Sequence, residues 1–152
     1  MRNVMSASAP QILVIGYGNT LRGDDGVGPR AAEAVAALAL PSVRTLVCAQ
    51  LSPEHTEPIA QARTAIFVDA AVNIAGEVRL QKIEPADTSQ LMAHAADPRT
   101  MLALARDVFG HAPEAWLLTI PVETLAFSET LSPVAQRGLD QAVQKIQKLR
   151  AS

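Results

Sequence analysis

The chain has 152 residues, enough for one domain to bury an apolar core without disulfides or a structural metal. Its formal net charge of −2 argues against a broad nucleic-acid-binding surface, and its single cysteine, Cys48, excludes an internal disulfide and fits a reducing compartment. No apolar run approaches the ~18 residues of a membrane helix. We therefore expect a cytoplasmic protein that binds neither membranes nor nucleic acid.

The first third of the chain predicts a strand, a glycine-rich loop, a helix and a second strand. Residues 1–10 are expected to be a polar lead-in, and residues 11–150 a single domain. Residues 11–16 form a continuous apolar run, typical of a strand buried on both faces. After the glycine loop, residues 27–40 are alanine-rich and helical, and residues 42–49 are predicted to be the second strand.

The middle of the chain continues this alternation. Ser52 and Pro53 have the residue types of an N-cap and a first helical position, ahead of a helix that Pro58 should limit. A third buried strand over residues 64–72 ends close to an acidic residue. Residues 77–84 alternate apolar and polar side chains, which predicts a strand with one wetter face.

The last third predicts two helices around a strand. A polar loop over residues 85–97 carries His94, and the helix that follows ends at Gly110. After a strand over residues 115–120, Ser132 opens the final helix. This alternation predicts an α/β sheet that is covered on both faces. Since the link between the third and fourth strands is too short for a crossover helix, the fourth strand is expected to be antiparallel.

The glycine loop, whose sequence is GYGNTLRGDDGVG, could hold either a phosphate or a cation. A dinucleotide-binding fingerprint needs a third glycine where this chain has Leu21, and an acid after the second strand that is missing here. Asp24 and Asp25 would repel a pyrophosphate, and the chain has no Gly-Lys-Ser/Thr motif. The residues therefore favour a cation.

Two carboxylates and an imidazole are candidate ligands for that cation. One of the two loop aspartates suffices to cap the next helix, which leaves the other free for chemistry. Asp69 ends the third strand, where open α/β sheets bind ligands, so it would face Asp25 if strands one and three are neighbours. A capped turn explains Asp69 equally well. His94 precedes a helix and can reach such a crevice, whereas His55 and His111 are expected to be ordinary surface residues. This set suits nickel, zinc or a similar divalent ion, although its spacing matches no local metal motif.

These residues together resemble the NiFe-hydrogenase maturation endopeptidases. The family motif is an apolar strand followed by Gly-x-Gly-Asn-x-x-x-x-Asp-(Asp/Glu)-Gly-x-Gly, and it is matched here by Gly16, Gly18, Asn19, Asp24, Asp25, Gly26 and Gly28. Asp69 and Ala70 match the family's Asp-Ala pair after the third strand, and His94 matches its loop histidine.

The resemblance implies a three-layer α/β/α sandwich of the phosphorylase/hydrolase-like type. Its five-stranded mixed sheet would have the order 2-1-3-5-4, with strand 4 antiparallel. The resemblance also implies an endopeptidase that removes the C-terminal extension of a NiFe-hydrogenase large-subunit precursor after nickel insertion. Asp25, Asp69 and His94 would be its metal-binding and catalytic residues around nickel carried by the precursor, for which other divalent ions can substitute. Asp24 would be structural, the glycines would let a substrate peptide approach, and water would be the nucleophile, since no serine, cysteine or histidine pairing offers one.

Two alternatives stay open. Many family members have an Asp-Gly-Gly-Thr-like turn after the second strand, whereas residues 48–53 here read Cys-Ala-Gln-Leu-Ser-Pro. That departure allows a nickel checkpoint or chaperone that binds a hydrogenase subunit without cutting it. Peptidyl-tRNA hydrolases share this fold type and a Gly-x-x-Asn turn, but they need a basic tRNA-binding face that an acidic chain does not offer.

Overall fold

A computed structural model describes residues 11–72, 76–87, 97–123 and 125–151. In these ranges the strands are β1 (Ile12–Tyr17), β2 (Val43–Cys48), β3 (Thr64–Ala71), β4 (Arg79–Ile83) and β5 (Glu114–Pro121). The helices are α1 (Val27–Ala37), α2 (Thr56–Gln61), α3 (Pro98–Phe109) and α4 (Pro133–Ala151). The predicted lead-in, residues 1–10, lies outside the described residues, and the extent of a single domain over 11–150 stays a prediction. Within the described residues, no helix combines the length and apolarity needed to cross a bilayer.

The five strands form one mixed sheet in the order β2-β1-β3-β5-β4, which confirms the predicted order. The pairs β1–β2, β1–β3 and β3–β5 are parallel, and β4 pairs with β5 in the antiparallel direction. The short link after β3 is therefore followed by an antiparallel strand, as the sequence predicted. β4 is shorter than the predicted 77–84 segment, because its pairing with β5 runs only from Arg79 to Ile83.

Helices cover both faces of the sheet, so the three-layer architecture is confirmed. One core lies between the sheet and helices α1 and α4, and the other lies between the sheet and helices α2 and α3. β1 supplies both cores, with Ile12 and Val14 on the first face and Leu13 and Ile15 on the second. This alternation explains why its sequence is apolar throughout.

The helix after the glycine loop is shorter than predicted. It ends at Ala37 rather than at residue 40, because Ala39 adopts a left-handed backbone with φ of 50° and Pro41 cannot continue a helix. The preceding residues, Gly23–Gly26, form a short 3₁₀ turn that leads into α1. The N-terminus of α1 is thereby joined directly to the two loop aspartates.

The motif glycines allow the loop and α1 to press against the ends of the strands. A Cβ atom at Gly28 would lie 2.6 Å from the carbonyl oxygen of Val68 and 2.8 Å from that of Tyr17, and one at Gly16 would overlap the Gly28 carbonyl. At Gly26, a Cβ atom would lie 2.8 Å from the Cα of Thr20. The chain's own backbone therefore fills the space that the sequence had assigned to an approaching substrate peptide.

We expect Gly28→Ala to lower the free energy of unfolding by about 3 kcal/mol, because the new methyl group would overlap backbone oxygens of two strands. Gly110→Ala is the control, because a Cβ atom there would meet nothing within 4 Å and only the left-handed backbone, with φ of 81°, opposes it. Its loss should be about 1–2 kcal/mol, the cost of a left-handed alanine. Urea unfolding measures both changes, and equal losses would show that backbone contact at Gly28 is unimportant.

Candidate functional site

Asp25 lies half-buried in the 3₁₀ turn at the carboxyl end of β1. Its Oδ2 atom accepts a hydrogen bond of 2.7 Å from the backbone N–H of Asn19. Gly18 has a φ of 147°, and a Cβ atom there would overlap the Asp25 carbonyl. The loop therefore wraps closely around Asp25 and fixes its carboxylate beside the end of the strand.

Asp24 is fully buried and has a structural role. Its carboxylate accepts hydrogen bonds from the backbone N–H of Glu123 at 2.8 Å and from the N–H and hydroxyl of Ser132 at 2.7 and 2.6 Å. The same hydroxyl accepts from the N–H of Ala135 and so caps α4, as Ser132 was predicted to do. Asp24 thereby joins the glycine loop to the start of the last helix.

Asp69 meets Tyr17 at the carboxyl ends of two adjacent strands. The β1–β3 register pairs Gly16 with Val68, so the next residues, Tyr17 and Asp69, lie side by side. The Tyr17 hydroxyl donates a hydrogen bond of 3.2 Å to Oδ2 of Asp69. The prediction that strands one and three are neighbours in the sheet is therefore confirmed.

Burial and nearby charges shift the pKa values of Asp69 and Tyr17. Burial raises the pKa of Asp69, and the negative charge of Asp25 raises it further, whereas hydrogen bonds from the Ala70 backbone and from Tyr17 act in the opposite direction. Burial and the charge of Asp69 hold the pKa of the Tyr17 phenol well above its usual value. The phenol is therefore a hydrogen-bond donor at neutral pH, and ionised Asp25 makes ionisation of Asp69 less favourable.

His94, the third predicted ligand, lies outside the described residues. Asp97, three positions further along the chain, caps α3 by accepting a hydrogen bond of 2.8 Å from the Arg99 N–H. The charge of Asp97 also contributes to the raised pKa of Tyr17. In the part of the chain that is described, no three histidine, cysteine or acidic side chains cluster closely enough to hold a metal ion.

A serine and a histidine do meet after β2, which the sequence did not predict. The Ser52 hydroxyl lies 3.3 Å from Nδ1 of His55, but the same Nδ1 accepts a 3.0 Å hydrogen bond from the Ser52 backbone N–H. The hydroxyl also donates to Glu54 at 3.0 Å. In a catalytic pair the histidine must be free to take the serine proton, whereas here the contacts complete the cap of a short turn. Ser52 and His55 are therefore a local capping pair.

Several solved structures share this fold, although no protein-family model and no curated protein sequence matches the chain. The hydrogenase maturating endopeptidase HybD from E. coli has a TM-score of 0.68 at 22% identity, with 93% of each chain covered. The maturation protease HycI from Thermococcus kodakarensis has a TM-score of 0.72 at 20% identity, covering 99% of this chain and 100% of its own. A hydrogenase 2 maturation peptidase from a Thaumarchaeota archaeon has a TM-score of 0.68 at 24% identity, with coverage of 91% and 97%.

The chain has the fold of the hydrogenase maturation proteases. The resemblance drawn from the motif is thus confirmed in the fold, along nearly the whole length of each relative. Within this maturation-protease fold, Asp25 and Asp69 lie at the carboxyl ends of β1 and β3, where open α/β sheets bind their ligands.

Asp24→Asn and Asp25→Asn should differ clearly in their effects on stability. We expect Asp24→Asn to lower the free energy of unfolding by about 2–3 kcal/mol, because the amide loses a charge-assisted acceptor in a fully buried place. Asp25→Asn should change it by less than about 1 kcal/mol, since an amide oxygen can still accept from Asn19. Denaturant unfolding of the two variants measures the difference. A stable Asp24→Asn protein would show that the hydrogen bonds from Glu123 and Ser132 contribute little.

Asp69→Asn should stabilise the protein at neutral pH. Because the folded-state pKa of Asp69 is raised above its ordinary value of 3.8, the ionised carboxylate destabilises the fold. This penalty is fully present above the folded-state pKa and is lost as the pH falls below the unfolded-state value. The variant should therefore melt at a higher temperature than wild type at pH 7, and the difference should shrink toward pH 3.8. Thermal unfolding across this range provides the measurement, and a pH-independent difference would show that ionisation of Asp69 is not the cause.

Proposed function

We propose that the protein is an endopeptidase that removes the C-terminal extension of a NiFe-hydrogenase large-subunit precursor after nickel insertion. The observation that carries this proposal is the placement of two aspartates at one end of the sheet, Asp25 on the loop after β1 and Asp69 near the carboxyl end of the adjacent strand β3. Support also comes from the fold, because relatives that share it over nearly their whole length are named as maturation endopeptidases. The single cysteine and the charge of the chain fit action in the cytoplasm.

Nickel carried by the precursor is the proposed ion at this site, with Asp25, Asp69 and His94 as its protein ligands. The chemistry of the described residues fits a cation. The Asp69 carboxylate is partly desolvated and is repelled by the charge of Asp25. A positive ion between the two carboxylates would offset both the desolvation and the repulsion. Carboxylate and imidazole ligands suit nickel and other divalent ions, which can substitute for it.

The proposed reaction is hydrolysis of a peptide bond by water. Oxygen from water adds to the peptide carbonyl, the C–N bond breaks, and the proton goes to the departing amine. A bound divalent ion would polarise the carbonyl or lower the pKa of the water. The chain's own contribution is to hold the precursor's ion with three side chains and to keep Asp25 and Asp69 at fixed places on the sheet. Ser52 supplies no nucleophile, because its hydroxyl donates to Glu54 within a cap.

Asp25→Asn, Asp69→Asn and His94→Gln should each reduce processing of a nickel-loaded precursor by at least about 100-fold, because each removes one ligand of the ion. Mass spectrometry of the precursor detects the loss of its C-terminal peptide. Asp107→Asn is the matched control, since this exposed aspartate on α3 pairs with Arg106 and should leave processing unchanged. A nickel-free precursor should stay uncut by every variant.

The outcomes separate the alternatives. Full processing by Asp25→Asn or Asp69→Asn would remove that residue from the site. Stable binding of the nickel-loaded precursor by the wild-type protein, with no cleavage on long incubation, would favour the checkpoint over the endopeptidase. Affinity for tRNA that falls steeply with added salt would instead favour a peptidyl-tRNA hydrolase-like function.

A further inference from the structure

Tyr17 is placed to act on Asp69 from the neighbouring strand. Its backbone is held at the end of β1, where Tyr17 pairs with Cys48 of β2. Its ring packs against the core on the α2 and α3 face of the sheet. With backbone and ring both fixed, the hydroxyl reaches Oδ2 of Asp69 at 3.2 Å from a rigid support.

The Asp69 carboxylate needs such a support. The Ala70 backbone holds this carboxylate from its own strand and the charge of Asp25 repels it, so in the absence of both an ion and the Tyr17 hydroxyl the side chain would turn away from Asp25. A hydrogen bond from a fixed donor opposes that rotation. Donors of this kind orient metal ligands in many proteins, and their loss typically weakens binding of the ion about 10–100-fold.

We propose that Tyr17 is a positioning residue, whose hydroxyl holds the Asp69 carboxylate in the orientation needed to share a cation with Asp25. The inference rests on the proposed function in one respect, the sharing of an ion by these two aspartates. A half-buried phenol also gains stability from any hydrogen bond, which is the ordinary explanation for the contact. The two explanations differ in what happens to Asp69 when the hydroxyl is removed.

Tyr17→Phe removes the hydroxyl and keeps the ring, so it separates positioning from packing. Thr119→Val is the matched control, because the β3–β5 register places Thr119 opposite Asp69 on the other side. No hydrogen bond between described residues joins the Thr119 hydroxyl to Asp69, so this variant removes a neighbouring hydroxyl without removing the contact in question. The folded state of both variants is checked first by their melting temperatures.

The first measurement is the conformation of Asp69 in metal-free crystals of wild type and both variants. We expect a single Asp69 rotamer in wild type and Thr119→Val, and a rotated or multiple rotamer in Tyr17→Phe. A single unchanged rotamer in Tyr17→Phe would overturn the proposal, whatever the protein's activity.

The second measurement is a calorimetric titration with Ni²⁺ alone. Tyr17→Phe should weaken binding about tenfold or more, and Thr119→Val should stay within about twofold of wild type. Equal affinities for wild type and Tyr17→Phe, or an equal loss in Thr119→Val, would also overturn the positioning role. A wild-type protein that binds no Ni²⁺ by itself would show that the ion is held only together with the precursor, and the Asp69 rotamers would then decide the role of Tyr17 by themselves.

Discussion

The candidate site depends on the hydrogen bonds that the buried Asp24 carboxylate accepts. A charge removed from water needs several hydrogen-bond donors, and Asp24 finds them at Glu123 and Ser132, far along the chain. These bonds fix the glycine loop against the segment after β5 and the start of α4. Because Asp25 is the next residue of the same 3₁₀ turn, its position follows from that of Asp24. The two aspartates therefore have different roles in the fold, since Asp24 holds the loop in place and Asp25 lies beside the carboxyl end of β1.

Strand pairing places Asp69 at the same end of the sheet as the loop that carries Asp25. Parallel pairing of β1 with β3 sets Asp69 beside Tyr17, and the close packing of α1 brings the loop over the same end. The glycines are needed for this approach, because side chains there would overlap the backbone of neighbouring strands. The result is two acidic side chains at one end of the sheet, with a phenol that donates a hydrogen bond to Asp69. Because the pKa of Asp69 is raised, its ionised form opposes folding at neutral pH.

The sequence predicted the parts of this structure that depend on local pattern or on chain length. Apolar runs located the central strands, the short link after β3 predicted the antiparallel β4, and the position of Asp69 followed from the end of its strand. The partners of Asp24 could not be predicted in this way, because they lie about a hundred positions away and two are backbone groups. The contact of Tyr17 with Asp69 depends on strand register, for which a tyrosine ending an apolar run was the only signal.

The bond from Asp24 to Ser132 spans 108 positions of the chain, which has a consequence for biosynthesis. During translation the glycine loop leaves the ribosome long before α4, and until then the Asp24 carboxylate has no Ser132 to accept from. The hydrogen bonds from Ser132 to this turn can therefore form only after the start of α4 has been synthesised. A nascent chain carries both aspartates early, whereas the full set of donors to Asp24 becomes available late.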